Sequence, residues 1–385
     1  MSGKSGKKTV VIVGGGQAGA AIARPLSKAL SPETHRIIVI NPRPYRIILP
    51  ATLRLVASDQ NDLENPEKGA LVPYDKLFLQ DNGEVIHASV TEVIQKPGEK
   101  TGFVKLNTGE EIEYHALVLA SGSQWGGPIN FPEGDKTMLL DYIADRREEI
   151  ARAKDILIVG GGSVGIELAG EIKDIFPTKP VTIIQRDTKL LNTTYPERFR
   201  NRMQAQIVSR GVKLVLGDSL DIEGEIPSSA PAEGFKTKSG ERLKADLVFR
   251  ATGPVPNTSY LATSSLSSVL TPKGTVKVQP TLQLPGYSNI FAAGDIVEWD
   301  EQKSAAKAGL GHAPIVLKNL QEYLNGGNKM KEYKGSMEMI IVTNGKSSGL
   351  GYLDMLWGIV LGQWFSVMIK SKTLMVSMGR GLSGN

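Results

Sequence analysis

The stretch KKTVVIVGGGQAGAAIA, residues Lys7 to Ala23, decides how the rest of the chain is read. Its β-branched run from Thr9 to Val13 predicts a buried strand. The three glycines predict a tight turn, and the continuation AGAAIARPLSKAL a helix with few side chains to obstruct close packing. Gly14, Gly16 and Gly19 fit G-x-G-x-x-G. A strand, a turn and a helix N-terminus in this order bring free N–H groups and the positive end of the helix dipole onto a pyrophosphate. The pattern then returns in DILIVGGGSVGIELAGEI, residues 155–172, with Gly160, Gly162 and Gly165. Two such units imply two dinucleotides.

Composition sets the limits around them. A chain of 385 residues with 41% hydrophobic content is expected to form two or three packed units. Forty-five Lys and Arg against forty Asp and Glu leave +5, with no block of like charge long enough to act as a nucleic-acid arm. With no cysteine there can be no disulfide, thiolate metal site or dithiol relay, so any redox chemistry rests on a bound cofactor. No His or acid cluster has metal-ligand spacing, and no Ser, His and Asp set points to a hydrolase. The N-terminus has no apolar stretch before Thr9, and position 2 is Ser2, not the Gly that myristoylation needs. A cytosolic start is expected.

The second strands of the two units, RIIVIN and VTIIQR, end without the acid that usually grips the adenosine ribose. Asn41 takes that place in the first, and can still accept a hydrogen bond from a ribose hydroxyl. Gln185 followed by Arg186 takes it in the second. That pair removes a charge that would repel a 2′-phosphate and adds one that could pair with it, although Arg186 reads equally well as a solvated strand-end charge. Two later segments complete the set. KADLVFRATGPVPN is an apolar strand ending in Ala251-Thr252-Gly253, and YSNIFAAGDIVEW ends a strand in Gly294-Asp295, where a carboxylate can accept from ribityl hydroxyls.

The order GGGQAG, ALVLASGS, GGGSVGIELAGE, LVFRATG, FAAGD resembles the two-dinucleotide-binding-domain flavoprotein oxidoreductases. Within them it is similar to the apoptosis-inducing-factor-like branch that includes the mitochondrion-associated AMID proteins, also called ferroptosis suppressor protein. The likeness runs from about residue 8 to 376 and includes the tail segment MIKSKTLMVS. It implies an α/β fold of two Rossmann-like domains, the NAD(P)H domain (124–249) inserted in a discontinuous FAD domain (1–123 and 250–330). A small C-terminal α+β segment (331–385) covers the flavin, contacts a membrane, or does both. FAD would be held by the first glycine motif, Asn41, Arg54, Val90, Gly122 and Asp295. NADH or NADPH would be held by the second motif with Gln185 and Arg186, and Gly253 would be a further cofactor-binding residue. The acceptor would be a quinone.

The resemblance also implies that Glu167 faces the flavin and nicotinamide and that Lys303 approaches Glu167 and the flavin, making these the expected catalytic residues. From the residues alone, Glu167 is equally a carboxylate favoured by a helix N-terminus. Lys303 is equally a surface lysine, and Lys307 is its rival. His312, in GHAP, reads as a packed helix-face residue more than a base. The segment 227–234, PSSAPAEG, reads as a surface loop or hairpin.

From Met355 to Ile369 the chain runs fifteen residues without charge, too few to span a bilayer, and Lys370 and Lys372 follow. As a helix it would gather Trp357, Val360, Leu361, Trp364 and Met368 on one face, as an interfacial anchor does. As a helix or hairpin it would pack into the third segment. The expectation is thus an NAD(P)H:quinone oxidoreductase, monomer or homodimer. It would be cytoplasmic and peripheral to a membrane such as the mitochondrial outer face or a lipid droplet. The alternatives are a reductase of a small redox protein, and a cell-death signalling or DNA-binding flavoprotein.

Overall fold

The computed structural model describes residues 6–59, 62–65, 67–231 and 233–385; Ser2 lies outside them. Apolar strands flanked by helices can bury both faces of a sheet only in a parallel layer, and the two Gly-rich units each found one. The first sheet has five parallel strands in the order Ile290–Ala292, Ala116–Leu119, Lys8–Val13, His35–Ile40, Gly83–Ile86. Its central strand is fully buried from Val10 to Ile12, with Ile12 beside Val39 on one side and Val118 on the other. Ile290–Ala292 joins this sheet from far along the chain, so the residues between are an insertion.

That insertion carries the second sheet, four parallel strands in the order Val212–Leu216, Val181–Gln185, Ile156–Val159, Leu247–Arg250. The chain leaves the first sheet through Ser123–Gln124 and returns through Val255–Pro256. These two crossings pair with each other as a short antiparallel ladder. Of the segment 227–234, the described residues 227–231 and 233–234 form neither helix nor strand, as the Pro and Ser content favours.

The third segment is an antiparallel sheet of Met339–Thr343, Gly349–Leu353 and Ile359–Leu361. A short helix follows at Gln363–Ser366 and another at Val376–Gly381. The uncharged run 355–369 is therefore a hairpin turn, a strand and a short helix, not one amphipathic helix. Gly358, at φ +78°, and Gly362 interrupt helical continuity, and β-branched Ile359 and Val360 pair with Leu353 and Tyr352. The segment is not peripheral to the core. Val342, Leu350, Tyr352, Leu374 and Val376 pack in one apolar cluster with Leu55 and Val56 of the helix Thr52–Ala57 and Ile166 and Leu168 of the helix Ser163–Ile175.

Candidate functional site

The two glycine motifs fold alike. Gly14 has φ +104° and Gly160 φ +119°, and a Cβ on either would lie 2.3 Å from a neighbouring carbonyl oxygen, Ala120 or Ala251. A Cβ on Gly19 would fall 1.9 Å from the Gly14 oxygen, and one on Gly165 2.0 Å from that of Gly160. The first and third glycines thus let the turn pass its neighbour strand and let the helix seat on the turn. The middle ones, Gly16 and Gly162, meet nothing within 4 Å. Each caps a 13-residue helix without a side-chain hydrogen bond, leaving N-terminal N–H groups bare toward open space. Such a cradle fits a pyrophosphate.

Asn41 and Gln185 have a shared role that their sequence positions did not announce. Asn41 Oδ1 accepts from the Gly15 N–H (3.1 Å), and Gln185 Oε1 from the Gly161 N–H (2.8 Å). Asn41 Nδ2 donates to the Arg43 carbonyl (2.8 Å), Gln185 Nε2 to Asp187 Oδ2 (3.3 Å). Each amide braces its glycine loop. The ribose contact expected of Asn41 has to share an oxygen that already has a partner. Arg186 is exposed, and among the described residues it has no hydrogen bond or ion pair.

A cavity of about 770 Å³ opens over the ends of the first sheet. It brings together Gly14, Gly16, Asn41, Val90, Gly122, Gly253 and Asp295. Gly19 stands behind it as a packing glycine. The sequence reading missed Arg43, Arg46, Tyr74 and Ser123 in its walls. Asp295 accepts from Ser123 Oγ (2.8 Å), and Tyr74 donates to the Gly15 carbonyl (3.0 Å). Buried Arg46 donates through Nε to Ser383 Oγ (3.1 Å) and through Nη2 to the Gly379 carbonyl, so the chain's last residues close one wall.

The Gly294-Asp295 turn is held from behind. The Gly294 N–H donates to His312 Nδ1 (3.0 Å), which places the ring hydrogen on Nε2, and Nε2 meets Glu301 Oε1 at 3.0 Å. The other Glu301 oxygen accepts from Tyr333 (2.7 Å). Burial pushes the Glu301 carboxyl up, but the hydrogen bonds from His312 and Tyr333 outweigh it and leave it below the ordinary glutamate range. His312 is a packed, hydrogen-bonded buttress, and its signal in the sequence was only GHAP.

Glu167, Lys303 and Arg54 stand apart from these cavity walls. None lines the cavity. Lys303 is exposed and donates to the carbonyls of Val297 and Trp299. Lys307 is buried against Glu338 (2.6 Å). The lysine that reaches Glu167 is Lys370, at 2.6 Å, which also donates to the Ile341 carbonyl (2.9 Å). Glu167 Oε1 accepts further from the Thr343 N–H (2.9 Å). Lys370 had been read only as a basic flank of the tail, because nothing local says that the tail recrosses the helix Ser163–Ile175. Arg54 forks onto Glu171 (2.7 and 2.9 Å). It lies one turn past cavity-lining Pro50 and is buried. Among the described residues no group of acids and histidines could hold a metal ion.

The profile of the family described as pyridine nucleotide-disulphide oxidoreductase matches residues 8–313. The FAD-dependent oxidoreductase FVFD30 of Flammulina velutipes is 44% identical over 331 residues, 86% of this chain and 99% of its own length. Ferroptosis suppressor protein 1 of Taeniopygia guttata is 30% identical over 375 residues, 97% of this chain and 95% of its own. Among solved structures, the sulfide:quinone oxidoreductase of Aquifex aeolicus matches with a TM-score of 0.72 at 17% identity, covering 97% of this chain and 92% of that one. That last likeness is one of fold.

Proposed function

The chain belongs to the pyridine nucleotide-disulphide oxidoreductase family, and we propose that it passes electrons from NAD(P)H to a quinone at a membrane surface. FAD and NAD(P)H are its cofactors. Bound FAD would supply the hydride-accepting and electron-donating chemistry that links the nicotinamide to the acceptor. The chain has no cysteine, so the disulphide step in the family's name has no residues here and the acceptor must meet the flavin itself.

The observation that carries the reading is the third segment, which joins an ion pair between buried Glu167 and half-buried Lys370 to an exposed apolar tip. Converting NAD(P)H and a quinone to NAD(P)⁺ and a quinol consumes one proton beyond the hydride, so a titratable group has to supply it. Glu167 and Lys370 are our candidates: an acid and an ammonium 2.6 Å apart, shielded from bulk water. At the tip, Leu356 is 71% and Trp357 95% exposed, with Trp364 at 76% nearby in sequence. Both tip residues take left-handed backbone, φ +50° and +67°, which costs bulky residues about 1–2 kcal/mol each. Arg198 offsets part of this by donating to the Trp357 and Gly358 carbonyls. An ordered apolar tip with Lys372 exposed beyond it suits the headgroup boundary of a lipid layer. No helix among the described residues is long and apolar enough to cross a membrane.

The test is to purify the protein, record its visible spectrum, and follow NADH and NADPH oxidation with and without a short-chain quinone. A folded, colourless preparation that takes up no added FAD removes the proposal. Turnover with a ferredoxin-type protein but not with quinone transfers it to a small-protein acceptor. In Glu167→Gln, flavin content should persist while quinone turnover falls about 10²-fold.

A further inference from the structure

Arg54 is buried, its side chain 3% exposed, in the helix Thr52–Ala57, and it spends its donors on two different partners. Nε and one Nη2 hydrogen go to the two oxygens of Glu171, the fork-on-fork geometry that fixes a guanidinium in plane. The rest go to the tail: Nη2 to the Ser371 carbonyl (2.7 Å) and Nη1 to the Lys372 carbonyl (3.3 Å). Glu171 and Glu167 are four residues apart on the helix Ser163–Ile175 and so share a face. Ser371 and Lys372 directly follow Lys370.

One guanidinium therefore ties the helix bearing Glu167 to the backbone bearing Lys370. A lysine on four rotatable bonds has no orientation of its own. What aims it here is the placement of its backbone. Just past the tie, Leu374 and Met375 take left-handed backbone, φ +53° and +56°, so Arg54 holds the last stretch of tail before that bend.

We propose that Arg54 is a positioning residue that sets the Glu167–Lys370 contact, acting through Glu171 on one side and the Ser371 and Lys372 carbonyls on the other. The inference rests on the reading of Glu167 and Lys370 given above. It also assigns a purpose to a buried pair that stability alone explains poorly, since desolvating two charges costs about as much as their attraction returns.

The experiment uses the FAD-loaded full chain and Arg54→Lys, which keeps a cation beside Glu171 but cannot fork and reach both carbonyls. Flavin content, the rate of flavin reduction by NADH under anaerobic stopped flow, and KM for a short-chain quinone should stay near those of the parent. The quinone-dependent kcat should fall roughly 10- to 100-fold, the scale of a misplaced reacting group. Placed in Glu167→Gln, the same substitution should cost less than about twofold, because the contact it sets is already gone. Unchanged kcat in loaded Arg54→Lys overturns the inference. So does an equal fold-loss in both backgrounds, or flavin reduction slowed as much as quinone turnover, either of which marks a purely structural residue. If Arg54→Lys purifies without FAD, Glu171→Gln, which removes the charge and one of the two acceptors of the fork but leaves the tail carbonyls, is judged by the same criteria. Loss of turnover in Glu167→Gln with none in the Arg54 and Glu171 variants sinks this inference alone. Full turnover in Glu167→Gln sinks the role of the pair as well.

Discussion

The two middle glycines allow the cofactors to be assigned to their cradles with single methyl groups. Gly16 and Gly162 have φ of −72° and −76°, conformations an alanine accepts, and a Cβ on either meets no protein atom within 4 Å. Gly16→Ala and Gly162→Ala should therefore each cost the folded protein no more than about 1 kcal/mol, the difference between Gly and Ala at a helix N-cap. The methyl group instead occupies the space a phosphate needs to reach the helix N-terminus. Losing one or two charge-assisted hydrogen bonds, about 1.5–3 kcal/mol each, corresponds to roughly 10- to 100-fold or more in affinity. Gly16→Ala should release FAD on dilution while melting as a folded protein after reconstitution. Gly162→Ala should purify yellow and raise KM for NAD(P)H by at least about tenfold. Gly14→Ala and Gly160→Ala are the contrasting pair: positive φ and a 2.3 Å clash with backbone oxygen predict loss of fold. The assays are flavin absorbance, thermal melting and steady-state kinetics. The assignment is refuted if Gly162→Ala loses FAD with its nicotinamide KM unchanged, or if Gly16→Ala holds FAD as the parent does.

Arg186→Ala should weaken NADPH and leave NADH nearly unaffected, read as the ratio of kcat/KM for the two; an equal effect on both excludes a 2′-phosphate contact. Trp357→Ala with Leu356→Ser should keep short-chain quinone turnover and lose co-sedimentation with anionic vesicles, and retained sedimentation would clear the tip of any lipid role. Because the Glu301 carboxyl sits below the ordinary glutamate range, its contribution to holding the Gly294-Asp295 turn is fully present above about pH 4.3 and fades as pH falls through the depressed value. The gap in FAD retention between the parent and Glu301→Gln, followed by free-flavin fluorescence, should be constant from pH 8 to about 5 and close below that; a gap that widens on acidification would reverse the sign and discard the buttress.

What could be read from the sequence and what could not divide along a physical line. The strand, glycine turn and helix of each unit are dictated locally: only a residue without a Cβ survives beside the carbonyls of Ala120 and Ala251, so the motif carries its own geometry. Asp295 was legible for a similar reason, as an acid directly after a buried strand and a glycine. Partnerships were not. Lys303 and Lys370 are equivalent as residue types, and which one meets Glu167 depends on a hairpin recrossing a helix two hundred residues earlier in the chain. Arg54 follows from the resemblance through its motif, PATLR, but the motif does not say that its side chain meets Glu171 of the helix Ser163–Ile175 while its neighbours Leu49 and Pro50 line the cavity. The amide braces of Asn41 and Gln185 were hidden because the position was judged by what it lacks, an acid, and not by the loop N–H that lies opposite.

The third segment connects these pieces by distance. Thr343, whose N–H binds Glu167, ends the strand Met339–Thr343, and it pairs with Gly349 at one end of the hairpin; Met339 pairs with Leu353 at the other. Five residues of antiparallel strand rise about 14 Å between the first and last. The turn carrying Met355, Leu356 and Trp357 begins just beyond Leu353. A strand that is pinned at one end by Glu167 and Lys370 thus leads, within one strand length, to an exposed apolar tip. An acceptor partitioned into lipid would have to travel only that distance to reach a group able to protonate it. Acceptors confined to water would gain nothing from the tip, so the preference for a lipophilic quinone should grow with chain length in the presence of vesicles, and this growth should disappear when Trp357 and Leu356 are replaced.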